Sequence, residues 1–224
     1  ATVAANEIIS DDLWVSGKEV VIEGLVEGDL YAAGESIKIS GTVNGDVFAA
    51  GSKIEISGKI GQDLYAAGEN ISLTKTIVTD TTMLAGANVT LDNATRIGGS
   101  LLSAAASVSN EATIARTLMM AGGKISNNAP VLGEARLAGQ TIMLGDKSNV
   151  IKDLNYVYDD KEGSFSNKGK VGGTTHQTLI PENYRGNNER IKVAISQASK
   201  GALAISFVAA ILTGLFLIWA MQPK

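Results

Sequence analysis

Carboxylates recur at a fixed spacing in the first part of the chain and are the residues most suited to binding a cation. Asp29, Asp46, Asp63 and Asp80 follow one another at 17-residue intervals. A calcium ion takes six or more oxygen ligands, and no other oxygen-rich residues recur beside these four. Turn residues of this type instead accept hydrogen bonds from nearby backbone amides. We therefore favour turns over a cation-binding edge, and predict no metal site.

Other routes to catalysis are few. The chain has no cysteine and a single histidine, His176, which falls outside the regular repeat described below and is expected to lie in a solvated linker. Catalytic zinc sites need three protein ligands, and the sequence contains neither a phosphate-binding loop nor a dinucleotide fingerprint. We expect no catalytic residue and no cofactor. The net charge of -4 also argues against nucleic acid as a partner.

A second set of residues is suited to binding protein rather than to catalysis. Trp14, Tyr31, Phe48 and Tyr65 also recur every 17 residues. If the residue before each of the last three faces a core, strand alternation turns these aromatic side chains outward. The same column is expected to continue through Thr82, Leu102, Met119 and Arg136. Either the column only stabilises a sheet by stacking, or it is an exposed apolar stripe that marks a protein contact.

These columns belong to a repeat that covers most of the chain. Glycines that end an "AAG"-like triplet stand 17 residues apart, with slightly longer steps around Gly86 and Ala105. A fixed period this short indicates a solenoid, and it is too short for tetratricopeptide, ankyrin or leucine-rich repeats. The aligned positions are Gly17, Gly34, Gly51, Gly68, Gly86, Ala105, Gly122 and Gly139.

Within one period the apolar residues alternate as they do in β-strands. Ile37 and Ile39 face one side while Lys38 faces the other, and Val43 and Val47 return to the first side after turns. The pattern predicts three short strands per coil of an all-β, single-stranded parallel β-helix over residues 1–175, with eight or nine coils. Inward positions expected in the next two periods are Ile54, Ile56, Ile60, Leu64 and Ala66, then Ile71, Leu73, Ile77 and Met83.

The repeated segments "GTVNGDVFAAG" and "GKIGQDLYAAG" resemble sequences of the bactofilin, or polymer-forming cytoskeletal, family and its membrane-anchored relatives. The resemblance covers roughly residues 20–175 and loosens after Asn110. It implies a right-handed β-helix that joins end to end into non-polar filaments without nucleotide and acts as a scaffold on membranes. The six-residue spacing of Ile37, Val43 and Ala49 is, by contrast, typical of left-handed hexapeptide helices. This chain differs from short bactofilins in its long C-terminal tail, which is similar to that of anchored envelope variants.

The C-terminal segment predicts a membrane anchor. Residues 202–220 are uncharged and long enough for a helix to cross a hydrocarbon core of about 30 Å. We predict a linker and juxtamembrane helix over 176–200 and a single transmembrane α-helix over 201–221. Ser206, Ala210 and Gly214 fall four apart, a spacing that lets membrane helices pack closely.

Two sequence signals give opposite predictions for the side of the membrane on which the β-helix lies. Arg185, Arg190, Lys192 and Lys200 precede the predicted span and Lys224 follows it, which by the positive-inside rule places the β-helix in the cytoplasm. The N-terminal "ATVAAN" instead resembles the start of a processed, exported chain. We favour the extracytoplasmic side.

The sequence thus predicts a non-enzymatic scaffold, a membrane-anchored rod that acts through self-association or as a subunit of a membrane assembly. The expected partners are membrane lipid and copies of itself or other subunits. The alternative is a β-helical enzyme or carbohydrate-binding module at the cell envelope. The coil surface distinguishes the two, because an enzyme needs a groove with converging polar groups.

Overall fold

The computed structural model describes residues 1–158 and 164–179. These residues form an all-β parallel solenoid of about 10 coils, rather than the eight or nine expected. The predicted hand of the solenoid stays a prediction. The strands, in chain order, are β1 (Thr2–Val3), β2 (Ile8–Ile9), β3 (Leu13–Ile22), β4 (Leu25–Val26), β5 (Leu30–Ile39), β6 (Thr42–Val43), β7 (Val47–Ile56), β8 (Lys59–Ile60), β9 (Leu64–Leu73), β10 (Ile77–Val78), β11 (Thr82–Leu91), β12 (Arg96–Ile97), β13 (Leu101–Asn110), β14 (Thr113–Ile114), β15 (Leu118–Asn127), β16 (Pro130–Val131), β17 (Ala135–Leu144), β18 (Asn149–Val150), β19 (Leu154–Tyr158), β20 (Phe165–Asn167), β21 (Lys170–Val171) and β22 (Thr175–Leu179).

The strands form two parallel sheets that run along the rod. A 12-stranded sheet has the order β1-β3-β5-β7-β9-β11-β13-β15-β17-β19-β22, with β20 also paired to β17. A 10-stranded sheet has the order β2-β4-β6-β8-β10-β12-β14-β16-β18-β21. Each coil thus hydrogen-bonds to the next, and equivalent residues stack in columns.

Each full-length long strand is made of two straight segments. In β5, Leu30 and Ala32 are buried, but farther along the buried residues are Ile37 and Ile39, so the alternation changes phase in between. Pairing with β7 likewise skips one position after Gly34. Glycine is favoured at this corner, because a Cβ on the next residue of the column, Gly51, would press against the carbonyl oxygen of Gly34, although one coil has Ala105 at the same position. Together with the two-residue strand, this gives the three segments per coil that the sequence predicts.

The interior is filled by apolar columns, most of them as predicted. Ile37, Ile54 and Ile71, for example, stack inside consecutive coils and are at most 2% exposed. Two predicted core residues are wrong, since Ile77 is 49% exposed and Met83 faces outward.

An extra residue causes both errors. Lys75, with a φ of 55°, lengthens the turn after Leu73, so that four residues rather than three separate that leucine from the next buried apolar side chain, Val78. A shift of one residue moves side chains to the opposite face of a strand. Thr82 and Leu84 are therefore buried on either side of Met83.

Aromatic residues fill the interior near the C-terminal end of the described solenoid. The rings of Tyr156 and Phe165 stack with centroids 4.1 Å apart, and Tyr156 is 7% exposed. The Tyr156 hydroxyl donates a hydrogen bond to Gln177 at 3.2 Å. His176 lies in β22 and pairs with Asn155, so the expectation that it falls outside the repeat is wrong and the coils extend past residue 175.

The remaining predictions concern the C-terminal segment. The predicted transmembrane helix over 201–221, with Ser206, Ala210 and Gly214, lies outside the described residues, as does most of the linker over 176–200. In the part of the chain that the structure describes, no helix has the length and hydropathy needed to span a bilayer.

Candidate interaction surface

The predicted aromatic residues form a continuous stack on the outside of the rod. Ring centroids lie 3.8 Å apart for Trp14 and Tyr31, 4.9 Å for Tyr31 and Phe48, and 4.8 Å for Phe48 and Tyr65, and no pair is tilted by more than 6°. Because the rings face one another along the rod, their edges point to solvent. Trp14 is the most open of the four, at 62% exposed.

The column continues through Met83, so the prediction of Thr82 at this point is wrong. Tyr65 pairs with Met83, and Met83 pairs with Leu102. Thr82 is completely buried, on the opposite face of the strand. From Leu102 the column passes to Met119 and Arg136 as predicted, although Leu102 is 8% exposed and contributes little surface.

A second column, missed by the sequence analysis, runs beside the first. It consists of the second alanine of each "AAG"-like triplet, two residues beyond the aromatic position and on the same outward face. All of its members are half-buried, and they stack in register in consecutive coils. They are Ala33, Ala50, Ala67, Ala85, Ala104, Ala121 and Ala138, with Ser16 before them.

The two columns together are called the outer stripe, from Trp14 and Ser16 at one end to Arg136 and Ala138 at the other. Seven steps of about 4.8 Å give it a length of about 34 Å. The alternation that turns Tyr31 outward also turns Ala33 outward, so a signal was present in the sequence. An outward-facing alanine is not recognised as a contact residue from the sequence because its side chain is small.

The aspartates form a hydrogen-bonded column along one edge of the outer stripe. The Oδ1 atoms of Asp12, Asp29 and Asp46 each accept a hydrogen bond from the backbone N–H of the aspartate one coil later, at 2.8, 2.8 and 2.9 Å. Asp63 accepts the N–H of Thr81 at 2.8 Å in the same way. The turn interpretation is therefore confirmed for these residues, and Asp12 is a member that the sequence analysis omitted.

Asp80 does not belong to this column, contrary to the prediction. The extra residue at Lys75 places Thr81 in register instead, and Asp80 pairs with Arg116 at 3.1 Å, two coils away. A side chain on the intervening Gly99 would collide with the Asp80 carboxylate. Among the described residues, no group of three or more histidine, cysteine, aspartate or glutamate side chains is arranged to hold a metal ion.

The column of carboxylates perturbs its own ionisation and that of the neighbouring tyrosines. Burial is the main cause that raises the pKa of Asp46. The hydrogen bond from the Asp63 N–H lowers this pKa in part, while the negative charges of Asp63 and Asp29 raise it further. Burial also raises the pKa values of Tyr31 and Tyr65, helped by Asp29 and Asp63, which accept their hydroxyl hydrogen bonds. The tyrosines in the outer stripe are thus held neutral beside a negative edge.

One polar cluster in the last coils resembles part of a catalytic arrangement. Oγ1 of Thr174 lies 2.9 Å from Nε2 of His176 and 2.8 Å from Oδ1 of Asp153. The Thr174 N–H also donates a hydrogen bond to this carboxylate, and that bond is the main cause that lowers the pKa of Asp153. Asp153 orients the threonine rather than the histidine, and Thr174 and His176 are exposed. The geometry is that of the turns in the aspartate column, not of a nucleophile activated by a base.

Charge is divided unevenly along the rod. Residues 1–80 contain 13 acidic and 5 basic side chains, whereas residues 81–158 and 164–179 contain 5 acidic and 8 basic ones. The acidic half carries the aromatic part of the outer stripe, and the basic half carries its methionine, leucine and arginine part. The rod is therefore electrically polar along its length.

Comparison of the chain with family models, curated proteins and solved structures gave no match. The resemblance to bactofilins therefore stays a prediction.

Proposed function

We propose that this protein is a non-enzymatic scaffold, a rod that is anchored to a membrane and binds a protein subunit through the outer stripe. The observation that supports the proposal is the continuity of the stripe over eight coils, from Trp14 to Arg136. Contiguous exposed apolar surface on a soluble domain usually marks a contact with protein or membrane. The subunit is another copy of the chain or a different protein.

The construction of the rod suits a scaffold. Long strands from β3 to β17 stay in register without a missing coil, and a continuous apolar core runs beneath them. Repeat architectures of this kind present an extended and rigid surface because each coil is held by its neighbours. Such a surface can hold a second rod or subunit along much of its length, which is the task of an assembly protein.

The membrane part of the proposal depends on residues 202–220, whose length and lack of charge suit a single transmembrane helix. Membrane lipid is then one partner, and the face of Ser206, Ala210 and Gly214 would pack against another helix. We place the rod on the extracytoplasmic side. A bactofilin-like, polymer-forming role is one form that this scaffold could take.

Co-purification from membranes in mild detergent tests the proposal. Tyr31→Lys combined with Phe48→Lys places two charges in the middle of the aromatic stack and should detach the rod from its partners. A matched control, Ser40→Lys with Ser57→Lys, adds the same charges at exposed turns of the same coils. The proposal is wrong if the stripe variant keeps every partner of the native chain, or if the native chain purifies with none.

A further inference from the structure

We infer that the outer stripe binds a second copy of this chain, packed face to face with the two rods antiparallel. The inference rests on the proposed function, because it names the partner of the same surface. It follows from the order of residue types along the stripe and from the division of charge along the rod.

The large-residue column of the outer stripe is complementary to its own reverse. Its first four members are aromatic, and its last four are Met83, Leu102, Met119 and Arg136. A two-fold axis that crosses the rod between the fourth and fifth members places each aromatic residue against a member of the other half. The facing pairs are Trp14 with Arg136, Tyr31 with Met119, Phe48 with Leu102, and Tyr65 with Met83.

Three of the four facing pairs are favourable types of contact, and the fourth adds little because Leu102 is only 8% exposed. A guanidinium group over an indole ring makes a cation–π interaction, and methionine sulfur packs well against aromatic rings. Trp14 stacks on Tyr31 and is still 62% exposed, so much of its surface is free for a second contact. Arg136 is also exposed, and Glu134 holds its guanidinium at 2.8 Å. This ion pair holds Arg136 in place at the end of the outer stripe.

Charge selects the antiparallel arrangement over the parallel one. Rotation about the same axis places the acidic half of each copy, with 13 acidic and 5 basic side chains, opposite the half of the other copy that has 5 acidic and 8 basic ones. Parallel rods would instead bring together two halves that each contain 13 acidic and 5 basic side chains. Apposed like charges disfavour such a pairing.

The size of the stripe sets the strength of the contact. A strip about 34 Å long and roughly 10 Å wide buries about 700 Å² in a dimer, which is below the 1,200–2,000 Å² typical of stable interfaces. The association is therefore weak and concentration-dependent in detergent. Copies anchored in one membrane meet at a high effective concentration, which compensates for a weak contact.

Cross-linking of the full chain tests the arrangement, because the native sequence contains no cysteine. Ser16→Cys and Ala138→Cys lie in the alanine column, in the coils of Trp14 and Arg136. Two differently tagged preparations, one with each substitution, are mixed in detergent and treated with a short bis-maleimide. The antiparallel dimer should give at least about tenfold more cross-linked product in the mixture than in either preparation alone.

A reciprocal exchange of side chains tests the facing pairs. Trp14→Arg places two arginines opposite each other at both ends of the dimer. The readout is the cross-link between one chain with Ala67→Cys and another with Ala85→Cys, which lie in the two central coils of the outer stripe. The yield of this cross-link should fall at least about fivefold. Adding Arg136→Trp restores an arginine opposite a tryptophan, and should restore the yield. Both sites are exposed, so the variants should unfold at the temperature of the native chain.

The outcomes separate this inference from the proposed function. Abundant cross-linking of Ser16→Cys to itself would show parallel rods, and failure of the exchange to restore the yield would refute the facing pairs. Absence of any cross-link, together with loss of membrane partners in the Tyr31→Lys and Phe48→Lys variant, would mean that the stripe binds a different protein. The inference would then fail while the proposed function stood.

Discussion

The hydroxyl of Tyr65 donates a hydrogen bond to Oδ2 of Asp63 at 2.9 Å. The other oxygen of this carboxylate accepts the backbone N–H of Thr81, so one aspartate joins the turn column to the outer stripe. Burial is the main cause that raises the pKa of Tyr65 above 10.0, and the hydrogen bond and charge of Asp63 add to it. The neutral phenol is therefore part of the folded structure.

This contact predicts a loss of stability at high pH. Because folding raises the pKa of Tyr65, the stabilisation from its neutral form is complete below about pH 10 and is lost as the pH rises from there towards the folded pKa. Tyr65→Phe removes that dependence, so the free energy of unfolding of the native chain should fall more steeply than that of the variant above pH 10. Denaturant titrations from pH 8 to 11 measure the difference, and equal slopes would contradict the prediction.

The aspartate column predicts opposite effects for two substitutions of Asp46. Asp46→Asn keeps an Oδ1 acceptor for the Asp63 N–H and removes a charge between two others, so it should be neutral or slightly stabilising at pH 7. Asp46→Ala leaves that N–H without its acceptor and should cost about 1 kcal/mol. Thermal unfolding of both variants is the measurement. A large loss in the asparagine variant would show that the column needs its charge.

The same residue predicts an acid-range effect. The pKa of Asp46 is raised in the folded state, so the folded chain binds more protons above pH 3.8. Its contribution to the free energy of unfolding should then be largest below that pH and decline as the pH rises through the folded pKa. Asp46→Asn should abolish this decline, and the difference between the two unfolding curves isolates it from other carboxylates.

The solenoid was predictable because its signal is repeated in every coil, whereas the errors fall where the repeat changes length. The step from Gly68 to Gly86 is one residue too long, but the sequence does not show which turn holds the additional residue. The structure places it at Lys75, where the backbone adopts a positive φ. Everything after that turn shifts by one, which accounts for Ile77, Met83 and Asp80 together.

The candidate surface was predictable only in part, for a similar reason. Aromatic residues stand out against small neighbours, so Tyr31 and Phe48 were recognised, while the alanines beside them were not. His176 was misplaced because 21 residues separate Leu154 from its partner Thr175, and the period is lost there. The stacking of Tyr156 on Phe165 joins residues from strands of unequal length and has no counterpart in earlier coils.

Two buried asparagines predict a coupled stability effect. Asn110 and Asn127 are completely buried in adjacent coils, and Nδ2 of Asn110 donates to Oδ1 of Asn127 at 2.7 Å. Asn127 also donates to Ser148 at 2.9 Å. Leucines occupy the same column in neighbouring coils, so Asn127→Leu should fit but leave polar partners unpaired, at a cost of about 1–3 kcal/mol.

A double-mutant cycle measures this coupling. Asn110→Leu combined with Asn127→Leu removes both ends of the shared hydrogen bond, and should cost less than the sum of the single changes by about 1 kcal/mol. Denaturant unfolding gives the four free energies. Strict additivity would indicate that the two side chains are held independently by their backbone partners.

The core predicts a sharp contrast between adjacent positions of β7. Ile56 is 1% exposed, so Ile56→Asp buries a charge without a partner and should cost several kcal/mol, enough to unfold the middle coils. Its neighbour Glu55 faces solvent and pairs with Lys53 at 2.8 Å, and Glu55→Ala should cost about 0.5 kcal/mol. Circular dichroism and thermal melts of the two variants make the comparison. Similar losses at both positions would refute the assigned strand faces.

The side of the membrane on which the rod lies is testable by labelling, because any introduced cysteine is the only one in the chain. Glu35→Cys lies on the exposed corner of β5, and Lys224→Cys follows the proposed membrane helix. With the rod outside the cytoplasm, a membrane-impermeant maleimide should label Glu35→Cys in intact cells and Lys224→Cys only after lysis. The reverse pattern would place the rod in the cytoplasm, as the basic residues before residue 202 suggest. Labelling of both sites in intact cells would show that residues 202–220 do not cross the membrane.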